Sequence, residues 1–205
     1  MQIKKEEVRD KLIEAGVEIF QSQGFEKASL RVIVKKAGTT IGNFYNYFKS
    51  KEDLYSALVD DEFKKFTYFL DHHEEHSENI LDLENHHHWQ RELTAFIETL
   101  LPIFTPRFIL LIDKSEGTKY EGFKEVIIEF FKEHFLDHVN QYQTNYQAYA
   151  GVLSRMFVNG LIDLIKENMD DDALGTYITK HFMFFITGTI GLIKNDETGG
   201  HHDRN

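Results

Sequence analysis

The residues best equipped to recognise a partner lie between Thr40 and Lys51. Asn43, Tyr45 and Asn46 offer amide and phenol donors and acceptors in close succession, groups suited to base edges or to phosphate oxygens. Gly42 beside them lets the backbone approach a surface closely. Lys51 stands where a following helix begins, so its charge and the free N–H groups there would both attract a phosphate. The same residues would also serve as the polar outer face of an ordinary three-helix bundle. Their types alone leave both readings open.

Histidine is the second chemically capable set. His72, His73, His76, His86, His87 and His88 fall close together, and His72/His76 and His134/His138 have the i, i+4 spacing that can chelate a metal. The chain has 0 cysteines, so such a site would draw on imidazole and carboxylate and would suit zinc, nickel or copper. A solvated polar surface accounts for these histidines as well. No metal ligand and no cofactor is therefore assigned. There is no Gly-rich phosphate loop, no H-E-x-x-H and no nucleophile elbow, so no catalytic residue is assigned and the chain is not read as an enzyme.

The elements that must position the first set can be read from spacing. Val8, Leu12, Ala15, Ile19 and Phe20 recur with helical period over Glu6 to Gln21, and Gly24 is a natural stop. Ser29 is placed to cap a short helix with Leu30, Ile33 and Val34 inward, ending at Ala37-Gly38. Thr40 is placed to cap the next, from Ile41 to about Phe48, anchored by Phe44 and Phe48. Ser50 to Asp53 has the form of a capping box opening a long helix. Helix, tight turn and short helix together make a helix-turn-helix layout.

Composition agrees once it is divided. The 205 residues carry a formal charge of −11, which taken whole argues against a nucleic-acid partner. The first 51 residues, with eight Lys and two Arg against six acids, carry +4, and the remainder carries −15. A small basic unit, 1–51, is thus expected to precede a larger acidic one, 52–205. The charged start lacks a signal-peptide core, and no run approaches about 18 consecutive apolar residues. A cytoplasmic, all-α protein without a membrane partner is expected, with long helices because there are only 2 prolines.

The stretches Ala28 to Ile33, Lys36 to Phe48 (Lys-Ala-Gly-Thr-Thr-Ile-Gly-Asn-Phe-Tyr-Asn-Tyr-Phe) and Lys51-Glu52-Asp53-Leu54 resemble the DNA-binding signature of the TetR family of bacterial transcriptional regulators. The likeness covers roughly residues 8–55, with Ile19-Phe20 and Gly24-Phe25 fitting its first helix. It implies an all-α fold of about nine helices, with an N-terminal helix-turn-helix and a larger ligand-binding and dimerisation domain. It further implies that Arg31, Ile41, Gly42, Asn43, Tyr45 and Asn46 face the major groove, while Ser29, Thr40, Tyr47 and Lys51 hold the phosphate backbone. Ala28 departs from a frequent Thr and removes a phosphate hydroxyl. Ile41 departs from a common polar residue and would read a thymine methyl. Val32 replaces a common acid without clear consequence.

The rest of the chain reads as helices at about 50–76, 89–101, 106–112, 122–142, 148–166 and 174–194. The resemblance implies an effector pocket, for which Phe66, Phe69, Phe96, Phe104, Phe108, Phe130, Phe131 and Phe135 are the candidates. Such a lining favours a small apolar or aromatic effector. Core packing is the other use for each of these rings. The last two helices carry Ala148, Gly151, Gly160, Gly188 and Gly191. Interior glycine costs about 1 kcal/mol, which close helix approach could offset. The resemblance makes that approach a homodimer interface, placed on Ala148, Gly151, Gly160, Phe182, Phe185 and Gly188. The expectation is a dimeric, ligand-responsive repressor bound to a palindromic double-stranded DNA operator. The alternative is a metal- or lipophile-sensing helical protein that acts mainly through protein contacts.

Overall fold

The computed structural model describes the backbone of residues 2–72, 86–140 and 147–199, and the side chains of residues 6–72, 91–137, 148–189 and 191. Among the described residues there are nine α-helices and no strand: α1 Gln2–Lys27, α2 Leu30–Lys36, α3 Ile41–Phe44, α4 Lys51–His72, α5 His86–Leu100, α6 Pro106–Asp113, α7 Phe123–Asn140, α8 Gln147–Lys166 and α9 Asp171–Gly199. The fold is the all-α one expected. The chain divides into two compact units, one formed by Met1–Asp71 with Ile103–Lys124, the other by His72–Pro102 with Glu125–Asn205.

In the first unit, α1 breaks at Gly24, whose φ of 75° and ψ of 166° are open to glycine at no steric cost. Phe25 beyond the break turns its N–H to the Lys114 carbonyl, 2.9 Å away. Leu12, Phe20, Ile33, Phe44, Leu54 and Tyr55 are fully buried, and each such large side chain contributes about 1.5–3 kcal/mol of burial. Tyr55 meets Phe20 and Phe25 edge-on at 5.0 and 5.2 Å and donates its hydroxyl to the Leu110 carbonyl at 2.6 Å. Burial, reinforced by Tyr120, pushes the Tyr55 phenol well above its ordinary range. These contacts hold α1, α4 and α6 as one body.

Several helix ends follow from sequence. The Thr105 side chain accepts the N–H groups of Arg107 and Phe108, and Pro106 fills the first turn of α6. Asp170 accepts the Ala173 N–H at the start of α9. The Ser50 hydroxyl accepts from Asp53 N–H, while the Asp53 carboxylate accepts from Lys49 N–H instead of Ser50, one residue off a standard box. Other ends differ from expectation. Ser29 occupies the N-cap position of α2, yet its side chain makes no capping bond. The helix at α3 ends at Phe44, and Asn46, Tyr47 and Phe48 follow in tight turns bonded to Asn43 and Phe44 carbonyls. α5 begins at His86 and α9 runs from Asp171 to Gly199, both longer than expected.

In the second unit, α9 packs along α8 and α5. Phe157 on α8 lies at its centre, with Phe131 at 4.6 Å, Phe182 at 4.7 Å and Phe185 at 5.3 Å. His181 stacks on Phe157 at 5.1 Å, with one ring nitrogen 2.8 Å from the Phe157 carbonyl. Burial pulls the His181 imidazole below its usual range, against the raising effect of that carbonyl. Ala148–Lys166 is the one described helix long and apolar enough to cross a membrane. Its packing on α9 supplies a reason for that composition.

Candidate nucleic-acid interface

The short helix α3, Ile41–Phe44, where a DNA contact is expected, is supported from beneath. Phe44 is fully buried and lies 5.6 Å from Phe48, so α3 and its trailing turn are pinned from beneath. Arg9 of α1 lies over the Phe48 ring at 5.7 Å. The Thr40 side chain accepts the Asn43 N–H at 3.2 Å, fixing the first turn.

Above this base runs a polar chain. The Asn43 amide donates to the Thr39 hydroxyl at 2.8 Å, and its carbonyl oxygen accepts from the Asn46 amide at 3.0 Å. Asn43 is therefore held in one orientation before any partner arrives, which lowers the ordering cost of binding. Thr39 was not among the expected residues. The sequence signal for it is its place four residues before Asn43, across the helix start. Tyr45 is 57% exposed and touches Phe44 only edge-on. Arg31, Ser29, Thr40, Gly42 and Asn46 are exposed, and Ile41 and Tyr47 are half-buried. Exposed Val32 shares the outer side of α2 with Arg31. A Cβ at Gly42 would meet nothing within 4 Å, so no contact inside the chain requires glycine there.

Lys51 is engaged elsewhere. Its ammonium donates to the carbonyls of Phe25 at 2.7 Å, Ala28 at 2.9 Å and Glu26 at 3.3 Å, and sits 4.3 Å from the Phe25 ring centre. It neutralises the carbonyl end of α1, and burial pulls its ammonium below the usual lysine range. All three donors are used within the chain. What Lys51 still offers an anion is the backbone at the start of α4.

The other expected residues fall in both units. In the first, Phe66 lies 5.5 Å from Phe69 and 5.1 Å from Phe108, and Phe108 lies 5.6 Å from Phe104. In the second, Phe130 meets Phe131 at 5.2 Å, and Phe135 lies 6.2 Å from Phe157. Phe96 on α5 is half-buried. Among the residues expected at a dimer contact, Phe182 and Phe185 pack on Phe157 inside the chain, and Gly151 is buried. A Cβ at Gly160 would stand 2.5 Å from the His181 ring, so this glycine serves a close approach of α8 to α9. Ala148 and Gly188 are exposed. Phe184, unforeseen, is 70% exposed. His134 stacks near Phe130 at 6.2 Å. His73 and His76 lie outside the described residues, and so do the side chains of His86, His87, His88 and His138. Among the described residues no group of three potential ligands forms a metal site.

Residues 12–58 match the model of the family described as bacterial regulatory proteins, tetR family. Over 148 residues the chain is 27% identical to the uncharacterized HTH-type transcriptional regulator YvdT of Bacillus subtilis (strain 168), covering 72% of this chain and 63% of that protein. It is 43% identical over 61 residues to the uncharacterized HTH-type transcriptional regulator YdgC of the same organism, covering 30% of this chain and 31% of that one. The chain thus spans less than two-thirds of the length of these relatives. Among solved structures it is similar in fold to a TetR family transcriptional regulator from Chloroflexus aurantiacus J-10-FL. There the identity is 18% and the TM-score 0.50, with 95% of this chain and 93% of that one covered.

Proposed function

We propose a mode of action from one premise: the chain belongs to the tetR family of bacterial transcriptional regulators. As such it is a ligand-responsive transcriptional regulator with a helix-turn-helix DNA-binding element, and not an enzyme. It acts in the cytoplasm as a homodimeric repressor on a palindromic operator. A small apolar or aromatic effector releases it. The observation that carries the DNA reading is the fixed chain Thr39–Asn43–Asn46, which spans the four-residue helix α3, together with exposed Arg31 and Tyr45. Arg31, Ile41, Gly42, Asn43, Tyr45 and Asn46 enter the major groove. Ser29, Thr40, Tyr47 and the backbone at Lys51 hold phosphates. The uncapped Ser29 hydroxyl supports that role.

Dimerisation is supported by an apolar face left open on the last two helices. Tyr149, Val152 and Met156 share one side of α8, and Tyr177, Phe184 and Gly188 one side of α9, all exposed. Two such pairs form a four-helix contact, and a two-fold dimer reads two half-sites about one helical turn apart. The effector binds among Phe66, Phe69, Phe104 and Phe108. A gel shift with the DNA upstream of the chain's own gene tests the reading. Wild type shifts that DNA and an effector reverses the shift. Failure to bind at low salt overturns it.

A further inference from the structure

One carboxylate in the first unit has a purpose that the regulator reading does not supply. Glu62 on α4 is 94% buried by residue surface, being 6% exposed. Its Oε1 accepts the Thr105 hydroxyl at 3.1 Å. Its Oε2 is buried without any hydrogen-bond partner. Among the described residues no lysine, arginine or histidine nitrogen forms an ion pair with it. Lys65, on the same helix, bonds Asp61 at 2.6 Å instead. A buried carboxylate oxygen without a partner is costly; an apolar residue at this position would avoid that cost, and an uncharged amide would lower it. The retained acid calls for a cation that no described residue provides.

The neighbourhood says which kind. Glu62 and Phe66 are four residues apart on one face of α4, and Phe69 continues that face. Thr105, which holds Oε1, is also the cap of α6, two turns of backbone that present Phe108 to Phe66 at 5.1 Å. Phe66 further contacts Phe123 at 6.1 Å. An acid one helical turn from Phe66, whose ring meets those of Phe69 and Phe108, matches a positively charged group carried on an apolar body, since aromatic rings also attract cations. Hydrated metal ions would need further oxygen or nitrogen ligands, and among the described residues no group of three histidine, aspartate or glutamate side chains gathers at Glu62.

We propose that Glu62 is the charge anchor of a site for a lipophilic organic cation, such as a protonated or quaternary amine bearing apolar groups. The ammonium lies against Oε2 and the apolar groups lie on Phe66, Phe69 and Phe108. This rests on the reading of the chain as effector-responsive and assigns that effector a charge. Tetraphenylphosphonium and tetraphenylborate are near-equal in size and shape and opposite in charge, so titration calorimetry with both isolates the charge. Wild type is expected to bind the cation at least about ten times more tightly than the anion, a step of one decade in Kd. Glu62→Gln is expected to abolish that preference while folding at least as stably as wild type. No binding of the cation, equal binding of the two ions, or a preference that survives Glu62→Gln overturns the proposal. A gel shift on the upstream DNA without ligand runs beside it. Loss of that shift would sink the regulator reading, and the calorimetric result for Glu62 would still stand on its own.

Discussion

Lys51 closes the end of α1: its ammonium lies 2.7 Å from the Phe25 carbonyl and 4.3 Å from the centre of the Phe25 ring. A residue expected to grip DNA by charge thus holds the first helix of the head. Lys51→Ala is expected to destabilise the protein by about 1–3 kcal/mol, because charge-assisted bonds to carbonyls are lost. Urea unfolding measures this. The salt dependence of DNA binding should stay as in wild type, since no phosphate contact of the side chain is removed. A slope lower by about one would restore the phosphate role.

Asn43, proposed above to enter the major groove, is the middle of a hydrogen-bonded chain. Asn43→Ala is expected to weaken specific operator binding by about 1–3 kcal/mol, measured by fluorescence anisotropy. Thr39→Val keeps the Asn43 amide but frees it from its 2.8 Å bond. It should produce a smaller loss in the same direction, because the amide must then be ordered on binding. Unchanged affinity and selectivity in Asn43→Ala would remove α3 from the groove.

Two glycines should respond in opposite ways. Gly160→Ala places a methyl 2.5 Å from the His181 ring, and overpacking of this kind costs about 1–3 kcal/mol. Gly188→Ala meets nothing within 4 Å in the chain, so the single chain should gain up to about 1 kcal/mol of helix propensity. Thermal unfolding compares the two. Phe184→Glu, on the open face, should shift sedimentation from dimer to monomer without unfolding the chain.

His181 makes stability depend on pH. Its folded value lies below its unfolded one, set first by burial. As pH falls through the unfolded value, near 6.5, the unfolded chain takes up a proton that the folded chain resists, so stability falls on the acid side. The contribution is complete at higher pH. Denaturant unfolding across this window should show a shallower acid loss in His181→Gln than in wild type. An identical slope would show that other groups set the acid limit.

Much of the local structure around the candidate site was legible because its rules are local. Thr40 and Thr105 cap the helices that their spacing indicated, and Pro106 sits in the first turn. Phe44 and Phe48 anchor the turn as their separation required. Whatever depended on distant partners was not legible. Lys51 reaches carbonyls more than twenty positions earlier in the chain. Glu62 meets Thr105 across 43 positions, and in sequence it looks like one of many acids on an exposed helix. Gly160 faces His181 for a reason that only the packing of α8 on α9 reveals. Phe184 and Phe185 are chemically identical neighbours, and the geometry of α9 alone decides that one is buried and the other open.

The head is not an excisable module. The amide of Phe25 ends on the Lys114 carbonyl, and Tyr55 ends on Leu110, so its compact unit is completed by a segment that arrives after the chain has left and returned. A chain cut short after α4 would leave the Tyr55 hydroxyl and the Phe25 N–H without their acceptors. Grafting this helix-turn-helix onto another body would likewise call for transplanting 103–124 together with 1–71. The stretch that matches the family model, 12–58, is therefore shorter than the compact unit it belongs to, 1–71 with 103–124.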